Sequence, residues 1–111
     1  MNAQQYDLND DIRVLILEGR IDIDGAPELE AILRNAIADG KHKLILDMAE
    51  VNYLNTEGLH TLAEIQAYSR QHGGEVRLVR LSAIVERVFG IVDFGRYFRD
   101  FSTVEAATVG L

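Results

Sequence analysis

Five consecutive residues, Asn55-Thr56-Glu57-Gly58-Leu59, place a hydroxyl, a carboxylate and a glycine where an apolar strand gives way to a helical pattern. A threonine at such a point has two uses. It can cap the helix by accepting a backbone N–H, or it can be presented outward and accept a phosphoryl group. Asn55 caps as well as Thr56 does, and Glu57 suits the positive end of the helix dipole in either case. Gly58 is the anomaly, because glycine in a helix interior costs up to about 1 kcal/mol against alanine. A functional reason is close approach. With no side chain at position 58, a partner's backbone can come directly against Thr56.

Other residues with chemical potential are less organised. The three histidines, His42, His60 and His72, are spread along the chain without a recognisable ligand spacing. Only His60 and Glu64 are spaced i, i+4, a common surface arrangement, so no metal site is expected. There is no cysteine, which removes disulfides, a thiolate nucleophile and a cysteine zinc site. No G-x-S-x-G elbow is present, and neither "GRIDIDG" nor "GG" makes a dinucleotide or Walker loop. No catalytic residue and no cofactor are therefore expected. Asp22 and Asp24 alternate just before the first helix. They read as solvated residues with Asp24 as the cap, or as a surface loop that helps to contact a partner.

The elements that must position these residues follow from periodicity. "YDLNDDIRVLILEG" predicts a strand, a turn at Asn9-Asp10-Asp11 and a second strand, with Val14–Leu17 buried on both faces. "IDIDGAPELEAILRNAIADG" predicts a helix: Pro27 and Glu28 suit its first turn, and Leu29, Ile32, Leu33, Ala36 and Ile37 recur at helical spacing. Gly40 is its stop. "HKLILDM" predicts a buried strand. A second helix is predicted from Thr56 to His72, buried through Leu59, Leu62, Ala63 and Ile65 and ended by Gly73-Gly74. "EVRLVRL" alternates, with Val76, Leu78 and Arg80 on one face and Arg77, Val79 and Leu81 on the other. That pattern suits a strand with one less buried face or a place near an edge. "SAIVERVFGIV" predicts a helix capped by Ser82 and burying Ile84, Val85, Val88 and Phe89. "GRYFRDF" predicts a last strand, and "STVEAATVG" a terminal helical turn capped by Ser102 or Thr103.

The order is β-β-α-β-α-β-α-β-α, which implies an α/β fold with right-handed crossovers and a mixed, mostly parallel sheet carrying about four helices. In such sheets functional groups collect where strand C-termini meet helix N-termini, and Asn55–Leu59 lies at such a junction.

Composition sets the limits. The chain has 111 residues, the size of one domain, and a net charge of −7 from 11 basic and 18 acidic residues. No basic cluster exists for a phosphate backbone or an anionic membrane. The N-terminus lacks the basic and apolar regions of a signal peptide, and no apolar run approaches the ~20 residues of a membrane span. A cytoplasmic protein is expected, with neither nucleic acid nor membrane as partner.

Three stretches together resemble the STAS domain of the bacterial anti-sigma-factor antagonist family: "LEGRID", "LILDMAEVNYLNTEGLHTL" and "GGEVRLVRLSAIVERVFGIVDF". The resemblance spans residues 1–111 as a single domain. Family members carry Asp, two hydroxyl residues, Gly and Leu at the start of the second helix, and the first hydroxyl is phosphorylated. The matching residue is Thr56. Asn55 stands at the Asp position and Glu57 at the second hydroxyl position, while Gly58 and Leu59 match. The resemblance implies a non-enzymatic partner switch without a cofactor. The unphosphorylated chain binds an anti-sigma factor that is itself a serine/threonine kinase of the GHKL ATPase type. Phosphorylation at Thr56 releases it, and a serine/threonine phosphatase resets it. The expected contact residues are Asn55, Thr56, Glu57, Gly58 and Leu59, with Asp22 and Asp24 beside them, in a monomer or weak dimer. An alternative is a STAS interaction module that is not phosphorylated, made constitutive by Glu57, in a signalling scaffold or lipid-transport complex. A small-molecule-binding or enzymatic α/β domain is a third reading, without a supporting motif.

Overall fold

A computed structural model describes residues 1–111. Five strands form one sheet in the order β1-β2-β3-β4-β5, so neighbours in the sheet are neighbours in the chain. β1 (Asn2–Asp7) runs antiparallel to β2 (Ile12–Ile21). The turn between them is closed by Asn9, whose side-chain oxygen accepts the N–H groups of Asp11 at 2.8 Å and Ile12 at 2.9 Å. β3 (Lys43–Leu54), β4 (Glu75–Val79) and β5 (Asp100–Phe101) then add in parallel.

The crossovers are α1 (Gly25–Ala38), α2 (Thr56–Gln71) and α3 (Ala83–Val92). Each steps to the next strand in the same direction, and crossovers of one hand then place all three helices on one face of the sheet. A single core joins Leu29 and Leu33 of α1, Leu62 and Ile65 of α2, and Val85 and Phe89 of α3 to Leu15, Leu44, Leu46 and Leu78 of the strands. Complete burial of each large aliphatic side chain is worth roughly 1.5–3 kcal/mol. This layer is what fixes the starts of the helices. The helical spacing of Leu29, Ile32, Leu33, Ala36 and Ile37 in α1 and of Leu59, Leu62 and Ile65 in α2 is the spacing that meets this core, whereas Ala63, expected with them, lies half-buried outside it.

The opposite face is covered in part by α4 (Val104–Thr108), where Ile12, Val14, Ile45, Val79 and Ala107 form a second, smaller core. Arg77 fastens this helix. It is fully buried, and its guanidinium donates to the carbonyls of Ala107, at 3.1 Å, and Val109, while lying 3.3 Å from Glu75. A cation at the carbonyl end of a helix is favourable, and the bonds satisfy groups that otherwise lack partners.

Several expectations need correcting. β3 is much longer than the stretch 42–48: it continues to Leu54, and residues 48–54 run beyond the part paired with β4. β4 has no less-buried face. It lies between β3 and β5 with Val76, Arg77, Leu78 and Val79 all buried, because α4 covers the side that Arg77 occupies. The alternation also breaks at Arg80, which adopts φ of 52°. That left-handed residue swings Leu81 to the helix-covered side, with Leu78 rather than Val79. In place of a strand over 95–101 there is a 3-10 turn at Phe94–Arg96 and a two-residue strand. Ile84, expected in the core, is exposed, and Val88 is half-buried. Thr103, not Ser102, caps α4, through its hydroxyl and the N–H of Ala106 at 3.1 Å. Ser82 does cap α3, accepting from Val85 N–H at 3.3 Å and donating to the Val51 carbonyl at 2.6 Å.

Candidate functional site

β2 and β3 end side by side, with Ile21 paired to Leu54. One residue on, the Asn55 N–H donates to the Ile21 carbonyl at 3.0 Å. Both strands then turn into helices over the same edge. α1 and α2 therefore start next to one another, just outside the carboxyl ends of β2 and β3.

Asn55 is the cap of α2. Its backbone is extended, its side-chain oxygen accepts the Gly58 N–H at 2.8 Å, and its carbonyl takes the Leu59 N–H at 3.1 Å. Thr56 is therefore not needed for capping. It is the first residue of a 16-residue helix, and it is exposed. The N–H groups of Thr56 and Glu57 have no backbone acceptor. The helix end thus offers an exposed hydroxyl, two free donors and a positive dipole at one point.

Gly58 has a different reason from the close approach proposed on sequence grounds. It is buried and faces inward. A Cβ there would lie 2.7 Å from Ile21 Cγ2 and 2.8 Å from Leu54 Cδ1. The glycine lets α2 settle onto the ends of β2 and β3, and this packing by itself accounts for the residue. Leu59 is also buried and belongs to the core, so the surface at this end is made by Thr56, Glu57 and the edge of Asn55. Gly25 plays the equivalent part in α1, where a Cβ would lie 2.2 Å from the Arg20 carbonyl oxygen.

Asp22, not Asp24, caps α1. The Asp22 side chain accepts from the N–H groups of Asp24 at 3.1 Å and Gly25 at 2.9 Å, and its carbonyl takes the Ala26 N–H at 2.8 Å. Asp24 has helical dihedrals and makes no side-chain cap bond. The Gly25 N–H bond, more than any other interaction, holds the Asp22 carboxyl below its usual value of 3.8, with the Asp24 N–H and Arg20 contributing. Arg20 lies 3.5 Å from Asp22 and stacks over the Tyr53 ring at 4.4 Å. Ile23, between the two aspartates, is 78% exposed. Sequence reasoning passed over Ile23, Arg20 and Tyr53. The signal for Ile23 was available: a bulky apolar residue flanked by acids, outside any helical or strand period.

Glu57 and Thr56 serve different flanks of α2. Glu57, His60, Thr61 and Glu64 line a groove of about 280 Å³ shared with Ala26, Pro27 and Glu30 of α1. His60 and Glu64 do not act as an isolated surface pair, because Glu64 is bonded to Arg34 of α1 at 3.1 Å. On the other flank Ala63, Gln66, Ala67 and Arg70 line an apolar depression of about 210 Å³ with Tyr97. Thr56 precedes Ala63 by seven residues and so shares that second stripe. No group of three or more His, Cys, Asp or Glu side chains is arranged to hold a metal ion, and no helix is long and apolar enough to cross a membrane.

Comparison with known proteins agrees with the fold. The sequence matches the STAS domain family over residues 3–107. It is 30% identical over 102 residues to the anti-sigma-F factor antagonist RsfB of Mycobacterium tuberculosis, covering 90% of this chain and 81% of that protein. The structure superimposes on an anti-sigma factor antagonist from Mycobacterium paratuberculosis with a TM-score of 0.83 at 24% identity, covering 97% and 91% of the two chains. It superimposes on the anti-sigma factor antagonist SpoIIAA of Bacillus, in its unphosphorylated form, with a TM-score of 0.80 at 19% identity, covering 95% and 92%. With nearly its whole length matched, and a relative at this identity, the chain belongs to the STAS domain family of bacterial anti-sigma-factor antagonists.

Proposed function

We propose that this chain is an anti-sigma-factor antagonist that works as a phosphorylation-controlled partner switch in the cytoplasm. In its unphosphorylated form it binds an anti-sigma factor that is also a GHKL-type serine/threonine kinase. The kinase transfers the γ-phosphoryl group of its ATP to the Thr56 hydroxyl. The bond to the ADP oxygen breaks, a bond to the threonine oxygen forms, and the hydroxyl proton leaves to a base of the kinase. A serine/threonine phosphatase hydrolyses the ester and resets the switch. The chain itself performs no catalysis.

The observation that carries this reading is the division of labour between Asn55 and Thr56. Asn55 spends its side chain on the cap, which leaves an exposed hydroxyl at a helix N-terminus with no structural task. A phosphate there is welcome in the free domain, because the Thr56 and Glu57 N–H groups and the dipole favour it. Buried under a partner, the same added charge of about −1.5 to −2 has to be desolvated. An unpaired buried charge costs several kcal/mol, on the order of 3–5. Phosphorylation then dissociates the complex without unfolding the domain. The position of Glu57 favours this switch over a constitutive module. Glu57 lines the groove toward α1 with Glu30 and Glu64, whereas Thr56 heads the other stripe of α2, so Glu57 is a poor stand-in for a phosphate on Thr56.

The test is phosphotransfer. The purified chain is incubated with GHKL kinases from the same genome and ATP, and the phosphate is located by mass spectrometry. Phosphate on Thr56 is the expected result. A kinase that binds the chain firmly but transfers nothing would instead make this a constitutive docking module.

A further inference from the structure

β1 is a free edge of the sheet, and it carries none of the devices that usually close one. Its inner side pairs with β2 through six consecutive residues without a bulge. The Leu8 N–H donates to the Ile12 carbonyl at 2.9 Å, and the same register sets Tyr6, Gln4 and Asn2 opposite Val14, Ile16 and Glu18. Alternation along an antiparallel ladder then turns the N–H and C=O groups of Ala3, Gln5 and Asp7 away from β2, toward solvent. Natural edges are guarded by Lys, Pro, a bulge or very short length. Asn2–Asp7 has no Lys, no Pro and no bulge, whereas the other edge, β5, is only two residues long. The one charged side chain of β1, Asp7, is already held by Arg13 at 2.7 Å and Lys41 at 3.7 Å. Both ends of the strand are tied down as well. The Met1 amino group lies 3.6 Å from Glu28, and Lys41 donates to the Asp10 carbonyl in the turn at 2.5 Å. The exposed Tyr6 and Leu8 lie at the end nearest that turn.

We infer that β1 is a self-association edge, along which a second copy of this chain pairs antiparallel about a two-fold axis at Gln5. The occupant follows from the sequence of the strand itself. With Gln5 opposite Gln5, Ala3 faces Asp7 of the second copy, and Gln4 faces Tyr6. The three outward residues of each strand then exchange about six backbone bonds. No like charges meet, and the two central amides, each both donor and acceptor, complement one another. Tyr6 and Leu8 gain cross-strand neighbours in Gln4 and Asn2 of the second copy. A shift of two residues either way leaves one outward residue of each strand without a partner in the other. The two sheets become continuous, with both helix layers on the same face. The net charge of −7 on each copy opposes association over distance, and salt screens that repulsion. Thr56 stands at the end of β3, on the far side of β2 from this edge. The inference is therefore independent of the reading of Thr56.

Sedimentation equilibrium of the full chain, at about 0.1 M and about 1 M sodium chloride, tests the association. A dimer that tightens with salt is expected. Gln5 is exposed. Gln5→Lys puts two like charges on the two-fold axis, and Gln5→Pro removes an outward N–H without touching the ladder to β2. Each should weaken the dimer by about tenfold or more while circular dichroism stays that of the wild type. Gln71→Lys makes the same change of charge at an exposed position near the end of α2 and should leave the dimer intact. The register is read with Gln5→Cys in a chain that has no other cysteine. Its two Cα atoms would lie about 5.5 Å apart, within disulfide reach, so mild oxidation should cross-link it and not Gln71→Cys. A wild-type chain that stays monomeric at both salt concentrations would overturn the inference, as would a dimer that neither Gln5→Lys nor Gln5→Pro weakens. A monomer whose Gln5 amide is protected from hydrogen exchange only when a purified GHKL kinase is added would assign the edge to that partner and overturn it too.

Discussion

The side-chain oxygen of Asn55 accepts the backbone N–H of Gly58 at 2.8 Å, and that one bond frees Thr56 from the work of starting α2. Asn55→Ala is expected to lower stability by about 1 kcal/mol, the usual loss of a helix cap, whereas Asn55→Asp keeps the cap and stays close to the wild type. Urea unfolding of the two variants checks both.

Gly58→Ala separates a packing role from a helix-propensity role by sign. In an unhindered helix the change would stabilise by up to about 1 kcal/mol. Here the new Cβ meets Ile21 Cγ2 at 2.7 Å and Leu54 Cδ1 at 2.8 Å, both side-chain atoms of the well-packed strand ends. A net destabilisation of about 1–3 kcal/mol is expected, as for other overpacked sites. Chemical-shift changes should centre on Ile21 and Leu54.

Thr56 is predicted to act through charge and not through packing. Thr56→Ala should unfold within about 0.5 kcal/mol of the wild type, as exposed substitutions do, and should remain bound to the kinase in the presence of ATP. Thr56→Asp should fold equally well and bind poorly. Normal kinase binding by Thr56→Asp, measured by calorimetry, would count against the proposed switch.

Arg77→Met retains much of the apolar stem but leaves the Ala107 and Val109 carbonyls without their donor. The buried Ala107 carbonyl, so stranded, costs about 1–3 kcal/mol. The amides of α4 should lose protection from hydrogen exchange first, while those of α2 keep theirs.

The acid limb of stability follows from Asp22 and Asp7. The folded-state pKa of each lies below the usual 3.8, Asp22 chiefly through the Gly25 N–H and Asp7 chiefly through Arg13. A depressed carboxyl stabilises the fold above its unfolded value and loses that contribution as pH falls through the folded one. These two groups therefore leave stability flat from neutrality to about pH 4 and lower it below. Asp22→Asn keeps a competent cap but removes one titration, so its unfolding midpoint should fall less steeply on acidification than that of the wild type.

Much of this was legible in the residue pattern. The order of strands and helices, the stop at Gly40, the cap at Ser82 and the start of α2 at Thr56 all follow from periodicity and capping chemistry. What escaped was set by tertiary context. The alternation around Arg77 suggested a strand with one less buried face, and only α4 lying over that side buries it. Asp22 and Asp24 are equivalent as cap formers by type, and only the backbone conformation decides between them. Gly58 raised the right question and received the wrong answer, because what crowds it is Leu54 at the end of β3 together with Ile21 of β2, more than thirty residues earlier in the chain. Ile84 and Val85 are both apolar and adjacent. Which of them enters the core depends on the angle at which α3 meets β3, and no period in the sequence states that angle.

The sequential strand order also bears on how the chain reaches this structure. Every parallel pair is joined by one intervening α-helix, followed before β5 by the 3-10 turn at Phe94–Arg96, and β1 meets β2 through a tight turn. No strand waits for a partner made from a distant part of the chain, so loop-closure entropy is as low as a parallel sheet permits. Low contact order speeds folding, and mixed domains of this kind fold faster than sandwiches or barrels of similar size. The β2-α1-β3 unit contains the Ile21–Asn55 link within one crossover. The junction that presents Thr56 is therefore closed by contacts within one β-α-β unit and needs no strand from elsewhere in the sheet.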